Sequence, residues 1–110
     1  MTTTRQRVYG MEYEVEYMPD MGIERWRLFP HHPFQLPDGR LRIGINEKII
    51  RMAEAQNVQR FVIGDGDNEM LLPVPNKRVL KQMEKAGAYQ EMPSIFEGRE
   101  GFKIYFFQVG

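Results

Sequence analysis

The chain of 110 residues contains no cysteine. This absence excludes disulfide bonds, zinc sites with thiolate ligands and a cysteine nucleophile, and it suits a reducing compartment such as the cytoplasm. The sequence also has no excess of one charge, because 15 basic residues balance 15 acidic ones. A broad electrostatic contact with nucleic acid is therefore not expected, although a local basic patch can still form.

Long hydrophobic runs are also missing. No segment approaches the ~20 apolar residues that a helix needs to cross a bilayer, and the opening MTTTRQRVYG has no apolar run of signal-peptide length. We therefore expect no membrane partner. The length fits a single domain over residues 1–110, and the hydrophobic content of 42% is ordinary for a globular protein.

Residues that carry common catalytic chemistry are scarce. Ser94 is the only serine, and its surroundings lack the G-x-S-x-G setting of a hydrolase nucleophile. The only histidines, His31 and His32, are adjacent in a proline-rich segment, where extended neighbours point to opposite sides and do not readily bind one metal together. No P-loop, G-x-G-x-x-G or H-E-x-x-H pattern occurs. The sequence thus favours a protein that is not an enzyme and predicts no cofactor.

Alternating residues predict a β-hairpin over residues 11–29. In MEYEVEYM (11–18), apolar and aromatic residues alternate with glutamates, which is typical of a half-buried strand. IERWRLF (23–29) alternates in a similar way after a PDMG turn. A loop formed by Asp20 and Met21 sets the register of the two strands. In this register glutamates lie opposite arginines on one face of the hairpin, and apolar residues lie opposite apolar residues on the other face. The predicted pairs are Tyr13 with Leu28, Glu14 with Arg27, Val15 with Trp26, and Glu16 with Arg25.

The remainder of the chain predicts the element order β-α-β-β-α-β. Asn46 and Asn76 can each cap a helix, and Gly87 stands at the C′ position of the second one. The second helix is expected to bury Val79, Leu80, Met83 and Ala86. Strands are predicted at residues 40–45, 60–64, 69–74 and 102–109. This order predicts an α+β fold of ferredoxin-like type, with two helices on one face of an antiparallel sheet. The hairpin over 11–29 is then an addition to a core over 40–109.

The acidic stretch IGDGDNE (63–69) admits two interpretations. Asp65, Asp67 and Glu69 could direct three carboxylates at one divalent metal, but the run lacks the spacing of a twelve-residue calcium loop. As a hairpin with a four-residue connection, the stretch pairs apolar residues with apolar residues in the flanking strands. The hairpin is therefore favoured over a metal site. Its predicted pairs are Phe61 with Leu72, Val62 with Leu71, and Ile63 with Met70.

The stretch PVPNKRVLKQMEK (73–85) suggests an anion site at the start of the second helix. Lys77 and Arg78 stand in the first turn, where the helix dipole disfavours cations, and the free backbone N–H groups there favour an anion. Asn76, Lys77, Arg78 and Lys81 are thus the candidate ligands, and Arg60 could extend the patch. The simpler alternative is that these long side chains only point into water.

The closing stretch FKIYFFQV (102–109) is apolar on both faces, although a ferredoxin-like sheet covers only one face with helices. The second face must be covered by the N-terminal hairpin, a partner or a ligand. We predict a homodimer that uses Tyr105, Phe107 and Val109, because a tyrosine hydroxyl suits the edge of an interface. The alternative set is Phe102, Ile104 and Phe106.

Three functional hypotheses follow from these patterns. The first is a non-enzymatic binding or regulatory module that acts through protein–protein contacts and self-associates. The second is a binder of a phosphate-containing ligand or of nucleic acid that uses the helix N-terminus at Asn76. The third and least favoured is a hydrolase that depends on a divalent metal and uses Asp65, Asp67, Glu69 and one histidine, His31 or His32.

Overall fold

The computed structural model describes residues 3–18, 23–30, 34–64, 69–92 and 101–109. Within these ranges the chain forms nine strands and two helices, which confirms the predicted α+β class. The strands are β1 (Thr3–Val8), β2 (Met11–Met18), β3 (Ile23–Phe29), β4 (Phe34–Gln35), β5 (Leu41–Asn46), β6 (Arg60–Ile63), β7 (Met70–Pro73), β8 (Tyr89–Met92) and β9 (Phe102–Val109). The helices are α1 (Glu47–Ala55) and α2 (Lys77–Lys85). Neither helix is long and apolar enough to span a membrane.

The strands lie in two sheets. The first has the order β1-β2-β3-β6-β7, in which only β3 and β6 run parallel. The second is antiparallel and has the order β4-β5-β9-β8. The ferredoxin-like arrangement is not confirmed, because its four predicted strands divide between the two sheets. Strand β5 pairs with β9, whereas β6 and β7 extend the sheet that the N-terminal hairpin begins. That hairpin is therefore part of the sheet that holds β6 and β7.

The apolar pattern of β6 explains its position beside β3. Trp26 lies opposite Phe61 and Leu28 lies opposite Ile63 in the parallel register, and all four side chains are buried. Val62, on the other face of β6, is buried as well. Both faces of this strand are thus apolar and covered, as is usual for an interior strand of a mixed sheet.

The predicted register of the N-terminal hairpin is confirmed in all four pairs. Its apolar face is closely packed, because the rings of Tyr13 and Trp26 stack with centroids 4.9 Å apart and both residues are buried. The sequence prediction missed β1, which adds a third strand and places Arg5 opposite Glu14 and Arg7 opposite Glu12. The loop residues 20 and 21 lie outside the described ranges.

The second hairpin also has the predicted register. Ile63 lies opposite Met70, and the two preceding pairs follow as expected from a four-residue connection. The connection itself, residues 65–68, lies outside the described ranges. The sequence pattern of the two strands was therefore sufficient to align them.

Each helix begins and ends with a recognisable cap. The side-chain oxygens of Asn46 and Asn76 accept hydrogen bonds from the backbone N–H groups three residues later, both at 2.9 Å. At the C-terminal ends, Asn57 and Gly87 take positive φ angles of 60° and 74°. The 6→1 and 5→2 hydrogen bonds of a Schellman motif close both helices.

One hydrophobic cluster draws on both sheets and on α1. From β9 it takes Tyr105, Phe107 and Val109, which are at most 9% exposed. These three side chains were predicted to form a dimer interface, and the structure shows them covered by the core of a single chain. On the opposite face of β9, Ile104 and Phe106 are half-buried.

Candidate functional site

Helix α2 is the least buried regular element that carries a predicted site. None of its residues is buried, whereas α1 buries Ile49, Ile50 and Ala53 completely. The apolar face that the sequence predicted for α2 is only partly covered. Leu80 and Met83 pack against the core, but Val79 is 39% exposed and Ala86 is exposed. The amphipathic pattern was correct, while the expected depth of burial was not.

The opposite side of α2 carries a concentrated positive charge. An open depression on this side is lined by Lys77, Arg78, Lys81, Gln82 and Lys85. We call the four cations among them the basic face. Within the described ranges none of the four forms an ion pair. The structure thus brings together three of the predicted anion ligands and adds a fourth cation.

Two predictions about this site change in detail. Asn76 uses its side-chain oxygen to cap α2, where it accepts from the Val79 N–H, so it positions the helix and is not itself part of the basic face. Arg60 does not line the depression. Lys85 was not predicted, although its spacing of four residues from Lys81 and eight from Lys77 places it on the same side of a helix. That periodicity was the available signal.

A single carboxylate holds α2 against the second sheet. Oε1 of Glu84 accepts hydrogen bonds from Lys103 Nζ at 2.5 Å and from the Tyr105 hydroxyl at 3.0 Å. The bonds from Lys103 and Tyr105 lower the pKa of Glu84, and the same carboxylate raises the pKa of Lys103. Burial and the Glu84 hydrogen bond raise the pKa of Tyr105 to about 12. All three groups therefore keep their hydrogen-bonding forms at neutral pH.

A cleft of about 540 Å³ separates the two helices beside this contact. Its apolar lining comes from Ile50 and Ala55 of α1 and Leu80 of α2. Its charged and polar lining comes from Arg51, Glu54, Lys77, Lys81, Glu84, Lys103 and Tyr105. The cleft thus combines an apolar interior with a mostly basic rim, an arrangement that suits a ligand of mixed character.

The metal hypothesis finds no support among the described residues. No group of three or more His, Asp or Glu side chains in those ranges could hold a metal ion. Of the predicted candidates, Asp65, Asp67, His31 and His32 lie outside the described ranges. The remaining one, Glu69, accepts a hydrogen bond from Arg27 at 2.6 Å.

Glu69 belongs to an ionic cluster on the outer face of the first sheet. Glu16 accepts from the Nε atoms of both Arg25 and Arg27, each at 2.8 Å, and Arg27 also donates to the carbonyl oxygen of Gly64. Burial by itself would raise the pKa of the Glu16 carboxyl, but the hydrogen bonds and charges of Arg27 and Arg25 outweigh it and lower that pKa. These contacts give Glu69 a structural role that joins the second hairpin to β3.

Comparisons of the chain with protein families, with curated proteins and with solved structures find no match.

Proposed function

We propose that this chain is a small non-enzymatic binding module that captures an acidic protein partner through the basic face of α2. The observation that carries the proposal is the set of four cations, Lys77, Arg78, Lys81 and Lys85, which lie on one side of a nine-residue helix and form no ion pair in the described ranges. The proposal assigns no catalytic step to the chain.

The basic face is electrostatically unfavourable in the free protein. Lys77, Lys81 and Lys85 follow one another at spacings of four residues, and like charges at that spacing destabilise a helix by about 0.2–0.5 kcal/mol per pair. Lys77 and Arg78 also oppose the helix dipole in the first turn, where the helix has no acidic residue. A bound anion relieves both effects, so its binding is favoured beyond the direct contacts it makes.

The dimensions of α2 favour an acidic peptide segment over nucleic acid. Nine residues span roughly 13 Å, which matches a few carboxylates on a peptide but offers only a short contact to a phosphate backbone. The chain as a whole has no net charge, so the attraction is local to this helix. The absence of cysteine is compatible with a reducing compartment, and we propose the cytoplasm as the place of action.

A titration with a fluorescently labelled poly-glutamate peptide tests the proposal. We expect binding that weakens as salt is added, because the contact is between exposed charges. Arg78→Glu and Lys85→Glu should each weaken binding by about tenfold. Arg60→Glu is the matched control, since this exposed arginine makes the same change in net charge but lies outside the depression. It should change the affinity by less than about twofold.

Two outcomes would reject this function. An equal loss in Arg60→Glu would show that net charge alone attracts the peptide. Absence of peptide binding together with tight binding of a single-stranded RNA of the same charge would instead support the nucleic-acid alternative.

Self-association is a second candidate function. Leu71 is 53% exposed on β7, and β7 pairs with β6 alone in the described part of the chain. An exposed apolar side chain on an edge strand favours pairing with a second copy. Sedimentation over a hundredfold dilution should reveal a dimer that Leu71→Lys dissociates. A monomer at every concentration would remove this candidate.

A further inference from the structure

We propose that the cleft between α1 and α2 receives one large apolar side chain of the acidic partner, while neighbouring carboxylates of that partner pair with Lys77 and Lys81. This inference rests on the proposed function and specifies the partner as a peptide segment in which acidic residues flank an apolar one. The occupant is thus a peptide of mixed character and not a simple polyanion.

The lining of the cleft supports an apolar occupant. Leu80 is half-buried and Ala55 is exposed, so these two residues supply the accessible apolar surface of the cleft, and the fully buried Ile50 lies behind them. The volume of about 540 Å³ lies within the range of small ligand sites and accommodates a leucine or phenylalanine side chain with part of its backbone. An occupant of this kind removes apolar surface of both partners from water.

The charges at the rim define where carboxylates can lie. Lys103 is already paired with Glu84 at 2.5 Å, and Arg51 lies 3.5 Å from Glu47. Lys77 and Lys81 on the α2 side form no ion pair in the described ranges, although the charge of Lys81 contributes to the lowered pKa of Glu84. Glu54 stands on the α1 side. The rim therefore attracts carboxylates towards α2 and repels them from α1, which orients the peptide across the cleft.

The exposure of α2 supplies a further argument. A nine-residue helix is marginal by itself in water, and α2 has no buried residue that would fix it to the core. An apolar side chain seated between Leu80 and Ala55 would cover part of the α2 surface that the core leaves open. Binding should therefore slow the hydrogen exchange of the α2 backbone amides as well as satisfy its charges.

Two labelled peptides test the inference, one with a leucine at the centre of a short glutamate run and one with a serine in its place. The intact protein should bind the leucine peptide about tenfold more tightly. Ala55→Leu fills the cleft without a change in charge and should abolish this preference, while binding of the serine peptide stays the same. Ala86→Leu is the matched control, because Ala86 is an exposed alanine at the C-cap of the other helix and lies outside the cleft, and it should keep the preference.

The outcomes separate this inference from the proposed function. Equal affinity for both peptides, with Lys85→Glu still weakening both, would overturn the cleft as a binding site and leave the basic face intact. Absence of binding to either peptide would overturn both proposals. Glu54→Gln gives an independent check that does not alter packing. It should strengthen the binding of both peptides, and weaker binding of the leucine peptide would contradict the proposed orientation.

Discussion

The hydroxyl of Tyr105 donates a hydrogen bond to Oε1 of Glu84 over 3.0 Å and thereby connects the core strand β9 to helix α2. Because α2 has no buried residue, this bond and the neighbouring contact from Lys103 are important polar connections between that helix and the second sheet in the described part of the chain. The position of the basic face therefore depends on a tyrosine at the edge of the core.

Tyr105→Phe should loosen α2 without disturbing the core. We expect a loss of about 1 kcal/mol in the free energy of unfolding, as for a typical hydrogen bond, and faster hydrogen exchange confined to α2. Tyr89→Phe is the control, since the Tyr89 ring lies 6.3 Å from that of Tyr105 but does not bond to Glu84. Uniformly faster exchange in both helices would contradict a local role.

Glu16→Gln should be destabilising in a manner that depends on pH. We expect a loss of roughly 2–4 kcal/mol at pH 7, because two arginines lose their common carboxylate in a largely buried position. The folded pKa of Glu16 is lowered from 4.5, so this stabilisation is present above that ordinary value and disappears as the pH falls through the folded value. Thermal melting from pH 7 to pH 2 should show the two proteins converging in acid. A constant difference would refute the assignment.

Trp26→Ala should cost about 3–5 kcal/mol, the usual range for removing a buried aromatic side chain. Trp26 is 1% exposed, stacks on Tyr13 and lies opposite Phe61, so the cavity would weaken both neighbours of β3. Urea denaturation measures the loss. Trp26→Phe keeps most of the side-chain volume and should lose clearly less stability than Trp26→Ala. Equal losses in the two variants would show that the indole hydrogen bond to Glu24 matters more than packing.

Gly44→Ala should be destabilising because of steric overlap. A Cβ atom at this position would stand 2.8 Å from Cγ2 of Ile104 on the adjacent strand, and overpacking of this kind costs about 1–3 kcal/mol. Combining it with Ile104→Ala should cost less than the two separate losses added together, since the second change removes the clashing atom. Additive losses would indicate that the backbone and not the side chain is the limiting contact.

The sequence was sufficient for structure that depends on neighbours along the chain. Alternation and turn length aligned both hairpins correctly, and Asn46 and Asn76 were correctly placed as helix caps. Strand β1 was not predicted, because its sequence TTRQRV is mostly polar. Its arginines face glutamates of β2 in the outer face of the sheet, and such ionic pairing leaves no hydrophobic periodicity to detect.

Structure that depends on distant partners was not predictable in the same way. Strand β6 is apolar on both faces. It could therefore pair either with the neighbouring strand expected in a ferredoxin-like sheet or with β3, and the hydrophobic pattern alone does not distinguish these two pairings. The same limit applies to α2. Its sequence pattern identifies an apolar face, but it does not show how much of that face the rest of the protein covers. The basic face was found only in part, because Lys85 belongs to it through helical geometry and not through adjacency to Asn76.

The parallel pairing of β3 with β6 has a consequence for the order of folding. The β1–β2, β2–β3 and β6–β7 pairings each join strands that are close in the sequence. In contrast, β3 can pair with β6 only after the intervening segment with β4, β5 and α1 has returned the chain to the first sheet. Long-range closure of this kind is slow relative to hairpin formation. During synthesis the nascent N-terminal sheet therefore exposes an unpaired edge beside Trp26 until residue 63 has left the ribosome. An unpaired edge of this kind is a site for aggregation and for chaperone binding, so we expect both during that interval.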